Sequence, residues 1–228
     1  MLRIDLHTHT WFSADSLTSP KTLVRRARTV GLDRVAVTDH GVFKGAAQAY
    51  ALDPELVIRG EEMKCACGVH VIGLFLHDHI PNGLPLAETV RRIKEQGGIV
   101  YAPHPYAYVR RASPRAESVL TVAEVVEVFN ARAFVPRWNR LAAQAAERVA
   151  LPVAAATDAH FPWEIGNACT EVPAFTDADS FLASMQESRL CVNGTTSPLV
   201  HVASIATEAT RFAFRRRASA RRLAHTAA

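Results

Sequence analysis

Two histidines stand two residues apart in "RIDLHTHT", Arg3 to Thr10, at the start of a 228-residue chain. In an extended strand, residues two apart share a face, so His7 and His9 can grip one ion from one side. Asp158 and His160, in "TDAH", repeat that spacing. Neutral imidazole binds zinc, manganese and iron, and carboxylates can bridge two ions. A single HxH is a common strand end, so the case rests on partners elsewhere. The chain supplies them: Asp15 after the first stretch, Asp39-His40 in "VTDH", Glu61 after Gly60, His70 in "VHVIGLF" and His104 in "APHP". This set takes six of the ten histidines. Divalent cations held close together polarise a phosphoryl oxygen and lower the pKa of a shared water. Mixed histidine and carboxylate ligands suit such hydrolysis better than an all-cysteine structural site does.

These residues need elements to bring them together. Each lies at the edge of a short β-rich run: "LRIDLHTH", "DRVAVTDH", "ELVIRGEEMKC", "VHVIGLFLH", "IVYAPHP" and "PVAAATDAH". The third and fourth runs read as strands joined by a turn around Gly68, and "VVEVFNA" is a further strand. Amphipathic helices fall between. "SPKTLVRRARTVGL" has Ser19 as N-cap, Pro20 in the first turn and Gly31 as its stop. "LPLAETVRRIKEQGG", "PRWNRLAAQAAERVAL" and "DADSFLASMQESR" are the others, the last capped by Asp177 or Asp179, and "LCVNGTTSP" reads as a final strand. Apolar strands alternating with helices predict an α/β fold with a largely parallel sheet, and the number of units suits a barrel. In such folds active sites gather at the C-terminal strand ends, where these candidates stand.

Bulk composition narrows the class. The chain is 49% hydrophobic and 21% charged, ordinary for one soluble globular domain. No apolar run reaches the length of a membrane helix, and no export signal is evident. Four scattered cysteines argue against a disulfide framework, so the expectation is a reduced, cytoplasmic protein without a membrane partner. The net charge of +4 is carried by a tail: six arginines and no acids follow from residue 211, and without them 20 basic residues face 22 acidic ones. Residues 1–210 read as a single domain and 211–228 as a basic tail, a helix end or a disordered terminus, with nucleic-acid binding as the minority reading.

Taken in order, "DLHTH", "TDH", "GEE", "VHVIGLF", "APHP" and "TDAH" resemble the PHP (polymerase and histidinol phosphatase) family of metal-dependent phosphoesterases, over nearly all of the chain to about Pro198. The resemblance implies a distorted (β/α)7 barrel with two or three divalent ions, zinc, manganese or iron, at its C-terminal face. It implies that His7, His9, Glu61 and Asp158 surround one ion. Glu61 would bridge to a second, held also by His70 and His104, and Asp15, His40 and His160 would hold a third. It implies hydrolysis of a phosphate ester by a metal-bridging hydroxide, with Asp158, His160 and Glu61 as the catalytic set. His77 and His79 flank the same strand as His70 and compete with it. Asp5 and Asp39 read as supports for ligands, and Asn130 as either a ligand or a group orienting one.

Phosphate also calls for cations beyond metals. Arg132 is the first candidate because guanidinium clamps two oxygens, and Arg137 sits near a helix start. Arg110 and Arg111 follow "HPY", and Trp11, Phe12, Tyr106, Tyr108 and Trp163 lie in loops at the same end. The leading expectation is a phosphoesterase for a small phosphorylated metabolite or nucleotide. Alternatives are an exonuclease on short oligonucleotides, a histidinol-phosphate phosphatase, and a non-catalytic metal-stabilised domain. Some nucleotide-hydrolysing relatives in the family carry a helical insertion between the glutamate and "HP" motifs, and the stretch from Cys65 to Tyr101 leaves no room for one.

Overall fold

The computed structural model describes residues 1–107 and 114–226. Nine strands form one sheet: β1 (Leu2–Thr8), β2 (Arg34–Val37), β3 (Val57–Lys64), β4 (His70–Leu74), β5 (Ile99–Ala102), β6 (Val125–Asn130), β7 (Val153–Ala156), β8 (Ala168–Val172) and β9 (Arg189–Val192). Their spatial order is β7-β6-β5-β4-β3-β2-β1-β8-β9. β1, β2 and β3 are parallel, as are β5, β6 and β7, and β4 runs antiparallel to both neighbours. Because β4 is reversed, its first residue, His70, lies at the same face as the ends of the parallel strands.

The sheet nearly closes between β1 and β7. At the site face, Thr8 makes a parallel bridge to Ala159, and the His9 N–H donates to the Ala159 carbonyl at 2.8 Å. At the opposite end β8 wedges between the two strands. It pairs antiparallel with Leu2, Arg3 and Ile4, and Thr170 Oγ1 bonds both the N–H and the carbonyl of Ala155. Between these points the buried Asp5 carboxylate accepts from the N–H and hydroxyl of Thr157. Burial pushes Asp5 up to about 7 against the pull of Thr157, so its hydrogen bonds carry the junction rather than a charge pair.

Packing follows the two-residue period of the strands. Ala36, Ile58, Ile72, Tyr101, Val125 and Ala154 form one cluster with Phe181 and Met185. Their chain neighbours turn the other way. Val35, Val37 and Val57 pack on Leu23 and Ala27 of α1 (Pro20–Thr29) and Ala46 and Ala49 of α2 (Lys44–Leu52). Val71, Val100 and Val126 pack on Ile93 of α3 (Leu86–Glu95) and Ala142 and Ala146 of α5 (Pro136–Val149). Strands buried on both faces mark a filled barrel with a helical jacket, as the alternation of elements predicted. Ser19 caps α1, accepting from the Thr22 N–H at 3.0 Å, and Gly31 takes φ 74° just past its end. Asp177, not Asp179, caps α6 (Ala178–Ser184).

Several elements carry no clear sequence signal. α2 buries only glycine and alanines, and α4 (Pro114–Leu120) and β8 are short. α7 (Pro198–Thr226) passes through residue 211 as one helix. Arg211 donates to the carbonyls of Trp11 and Ser13, tying α7 to the loop after β1. Among the described residues, no helix is long and apolar enough to cross a membrane. The Asp5→Ala protein, which leaves the Thr157 donors unpaired, is expected to lose about 2–3 kcal/mol of unfolding free energy. Urea denaturation of the chelator-treated protein, followed by circular dichroism, measures it.

Candidate metal centre

His7 and His9 project from the end of β1 and are fully buried. His9 Nε2 lies 3.2 Å from Asp158 Oδ1 and 3.5 Å from Glu62 Oε2. His7 Nε2 lies 3.4 Å from Glu62 Oε2 and 3.5 Å from Asp158 Oδ1. On one flank, His70 Nδ1 is 2.6 Å and His104 Nε2 3.3 Å from Glu62 Oε1. On the other, His40 Nδ1 is 2.8 Å from Glu62 Oε2, and Asp15 Oδ2 is 2.9 Å from His160 Nε2 and 3.6 Å from His40 Nε2. Among the described residues, four overlapping groups could each hold a cation: His9-His40-His160, His7-His9-Glu62, His7-His104-Asp158 and Glu62-His70-His104.

The chemistry of these atoms fits divalent cations. His7 Nε2, His9 Nε2, Asp15 Oδ1 and Glu62 Oε2 are buried and have no hydrogen-bond partner among the described residues. His7 Nε2 and His9 Nε2 both face Glu62 Oε2, lone pair toward lone pair, an arrangement that costs free energy unless a proton or a cation sits between them. The charges respond accordingly. Burial alone would raise Glu62, but His40 and His70 hold it well below the usual carboxylate range. Asp158 is held low in the same way by His7, and Asp15 by His160. His9 goes the other way: burial, with His40 and His160 beside it, drives it well below ordinary histidine and keeps its ring neutral.

The glutamate in this cluster is Glu62, and Glu61 is not part of it. Adjacent residues in a strand face opposite ways, and β3 turns Glu62 into the barrel mouth and Glu61 outward. Outside, Glu61 accepts from the Ile80 N–H at 3.1 Å and meets His79 Nδ1 at 2.8 Å, and burial pushes it up to about 7. That contact also draws His79 away from the centre, while His77 Nδ1 meets Arg59 at 2.7 Å. His70 is therefore the histidine of this strand that reaches the cluster. The other residues expected as ligands, His7, His9, Asp15, His40, His104, Asp158 and His160, lie together in this cluster.

The supporting groups include one that sequence reasoning missed. Glu127, buried in β6, meets His7 Nδ1 at 3.0 Å. It also accepts from the Tyr101 hydroxyl, the His104 N–H and the Asn130 amide. A carboxylate behind an imidazole fixes the tautomer that presents Nε2 to an ion. Its signal was an acid inside the apolar run "VVEVF". Asn130 also donates to Asp158 Oδ2 at 3.2 Å, so it orients an acid. Asp39 accepts from Thr10 and from Ser13 Oγ, which in turn meets His9 Nδ1 at 3.2 Å. It thus supports His9 through a hydroxyl. His104 and Asp158 adopt φ 27° and 54°, sparsely populated backbone for these residues and typical of functional sites.

Beside the centre opens a cavity of about 520 Å³, lined by Asp15, His40, His70, His104, Asp158 and His160 at one end and by Lys64 and Arg132 among others. Arg132 is 5% exposed and committed elsewhere: it pairs with Glu164 at 3.0 Å and donates to Ser204 at 2.9 Å. Glu164 in turn accepts from the His160 and Phe161 N–H groups, so the pair locks the loops after β6 and β7 to α7. Arg137 is exposed at the start of α5 and does not line the cavity. Nor do Trp11, Phe12, Tyr106 and Trp163, and Tyr106 is buried with its hydroxyl on Glu117. Tyr108, Arg110 and Arg111 lie outside the described residues.

A family model for the PHP domain matches residues 5–97, and one described as PHP-associated matches residues 136–190. An uncharacterized protein of Methanocaldococcus jannaschii is 37% identical over 143 residues, covering 57% of this chain and 82% of that protein. A second from the same organism is 36% identical over 173 residues, covering 73% and 69%. Among solved structures, a two-domain protein from Bacteroides vulgatus containing a predicted PHP-like metal-dependent phosphoesterase superposes with TM-score 0.69 at 19% identity. That match covers 84% of this chain and 64% of the other. Endonuclease Q, in complex with a 27-mer duplex bearing an abasic lesion at its active site, superposes with TM-score 0.59 at 14% identity, over 82% of this chain and 56% of its own. This chain thus spans under two thirds of either solved protein, and at these identities the likeness is one of fold.

Two isosteric variants separate the adjacent glutamates. Glu62→Gln is expected to lose at least one bound ion per chain by elemental analysis, and Glu61→Gln to retain all of them. Glu127→Gln is expected to weaken metal affinity about 10- to 100-fold, read by competition with a chelator.

Proposed function

Because the chain belongs to the PHP domain family, we propose that it is a metal-dependent phosphoesterase acting on a small phosphorylated metabolite. The observation that carries this reading is the convergence of six histidines with Asp15, Glu62 and Asp158 at the mouth of a barrel, with four buried lone-pair atoms left without partners. Divalent ions bound there would polarise a phosphoryl oxygen and make a water nucleophilic near neutral pH.

The residues divide the remaining work. His7, His9, Glu62 and Asp158 would hold an inner cation, His70 and His104 with Glu62 would hold one on one side, and Asp15, His40 and His160 one on the other. Glu62 replaces Glu61 in the catalytic set with Asp158 and His160. Glu127, Asn130 and the Asp39–Ser13 pair keep the ligating atoms aimed inward, so little reorganisation accompanies substrate binding. The four free cysteines suit a reducing compartment, which supports a cytoplasmic location.

Nucleic acid is the second reading, favoured by the likeness to endonuclease Q. Against it, the described cavity lining holds no phenylalanine, tyrosine or tryptophan on which a base would stack. A hydrolysis panel with added manganese, zinc or iron decides between them. It spans p-nitrophenyl phosphate, its bis-ester, histidinol phosphate, nucleotides and short DNA or RNA. Turnover of a monoester, abolished by chelator and restored by metal, is expected. In His7→Ala activity should fall by about 10³ or more, with the circular-dichroism spectrum retained. A metal-loaded protein that hydrolyses no ester would leave the non-catalytic, metal-stabilised domain.

A further inference from the structure

We propose that Lys64 binds an anionic oxygen of the substrate, and that this substrate is a compact phosphate monoester with an apolar or uncharged ester group. The proposal rests on the phosphoesterase reading and assigns the cation that reading lacks. Lys64 ends β3 two residues after Glu62, so both leave the strand on the face that opens to the site. It pairs in register with His70, whose Nδ1 meets Glu62. Opposed side chains in an antiparallel pair start about 5 Å apart, and the lysine stem is long and flexible. Its backbone is anchored: the N–H donates to Asn82 Oδ1 at 2.8 Å, and the carbonyl accepts from the Gly83 N–H at 2.8 Å.

Lys64 lines the cavity and is exposed, and among the described residues its ammonium has no ion-pair partner. Arg132, the other cation of the described lining apart from the histidines, is fixed by Glu164 and Ser204. The wall beyond consists of Val69, Pro105, Ala116 and Val119. Among the described residues, one uncommitted cation beside the cluster, followed by an apolar wall, matches a phosphoryl group at the metals and a small neutral group behind it. A polynucleotide would instead call for a basic track and stacking rings.

The test measures binding of inorganic phosphate by calorimetry and hydrolysis of p-nitrophenyl phosphate, using the full metal-loaded chain and its K64A and K64R variants. In K64A the phosphate Kd and the KM are expected to rise together by about 10- to 100-fold, with kcat within about threefold and metal content unchanged. K64R should recover most of the loss. Unchanged Kd and KM in K64A, or no phosphate binding by the unmodified protein, overturns the role of Lys64. Faster turnover of oligonucleotides or of the bis-ester than of the monoester overturns the substrate class. If no ester is hydrolysed while K64A still weakens phosphate binding, the anion site stands and the phosphoesterase reading falls.

Discussion

Glu62 sits where five imidazoles meet, and compensating their lone pairs and its own charge is the constraint around which the mouth of the barrel is built. Its two oxygens face His7, His9, His40, His70 and His104, all within 3.5 Å. A buried carboxylate is tolerated only when charge is supplied to it, and several neutral imidazoles aimed at one point supply none until protons or cations join them. Either way, positive charge must reside in this space. Against the burial that lowers them, Asp158 raises the proton affinity of His7, and Glu62 that of His40, well above ordinary histidine. Divalent ions can supply more charge than protons, with fixed geometry, which ties the stability of this face to its chemistry.

The rest of the molecule holds that cluster open and aimed. Both faces of most strands are buried, so the strands cannot rotate to relieve the crowding at their ends. Reversal of β4 lets His70 approach from a strand start. Asp5 and Thr8 draw β1 toward the segment after β7, which brings His7 and His9 against Asp158. Behind the ligands stands a layer of carboxylates and amides: Glu127 behind His7, Asn130 behind Asp158, and Asp39 behind His9 through Ser13. Arg132 belongs to this layer too, since through Glu164 it fixes the backbone of His160. An arginine that looked from its place in the sequence like a phosphate clamp is instead a brace.

Much of this was legible beforehand. Ser19, Pro20 and Gly31 bound a helix by local chemistry alone, and the short β-rich runs "IVYA" and "VVEVFN" read as strands, which the structure buries almost throughout. The PHP resemblance rested on motif order, which survives any error in element boundaries. What escaped was weakly patterned or non-local. The buried face of α2 is made of small residues, β8 is a short polar–apolar run that gains its place by wedging into a seam, and α7 is steered by contacts with Arg132 and with the loop after β1.

The sequence by itself determined that the chain is an α/β protein whose strand ends carry histidines and acids in ligand spacing. Hydrophobic period and residue chemistry are local properties that need no fold to be read. Only the tertiary structure decided which members of that set meet. Of the two glutamates in "GEE" the sequence reading chose Glu61, and the pleat of β3 sends Glu62 to the centre and Glu61 to His79. His70, His77 and His79 flank one strand, but His70 opens β4 at the site face and the other two follow its far end. Direction depends on register and on what lies opposite, and a buried carboxylate is defined by the partners that other strands bring to it.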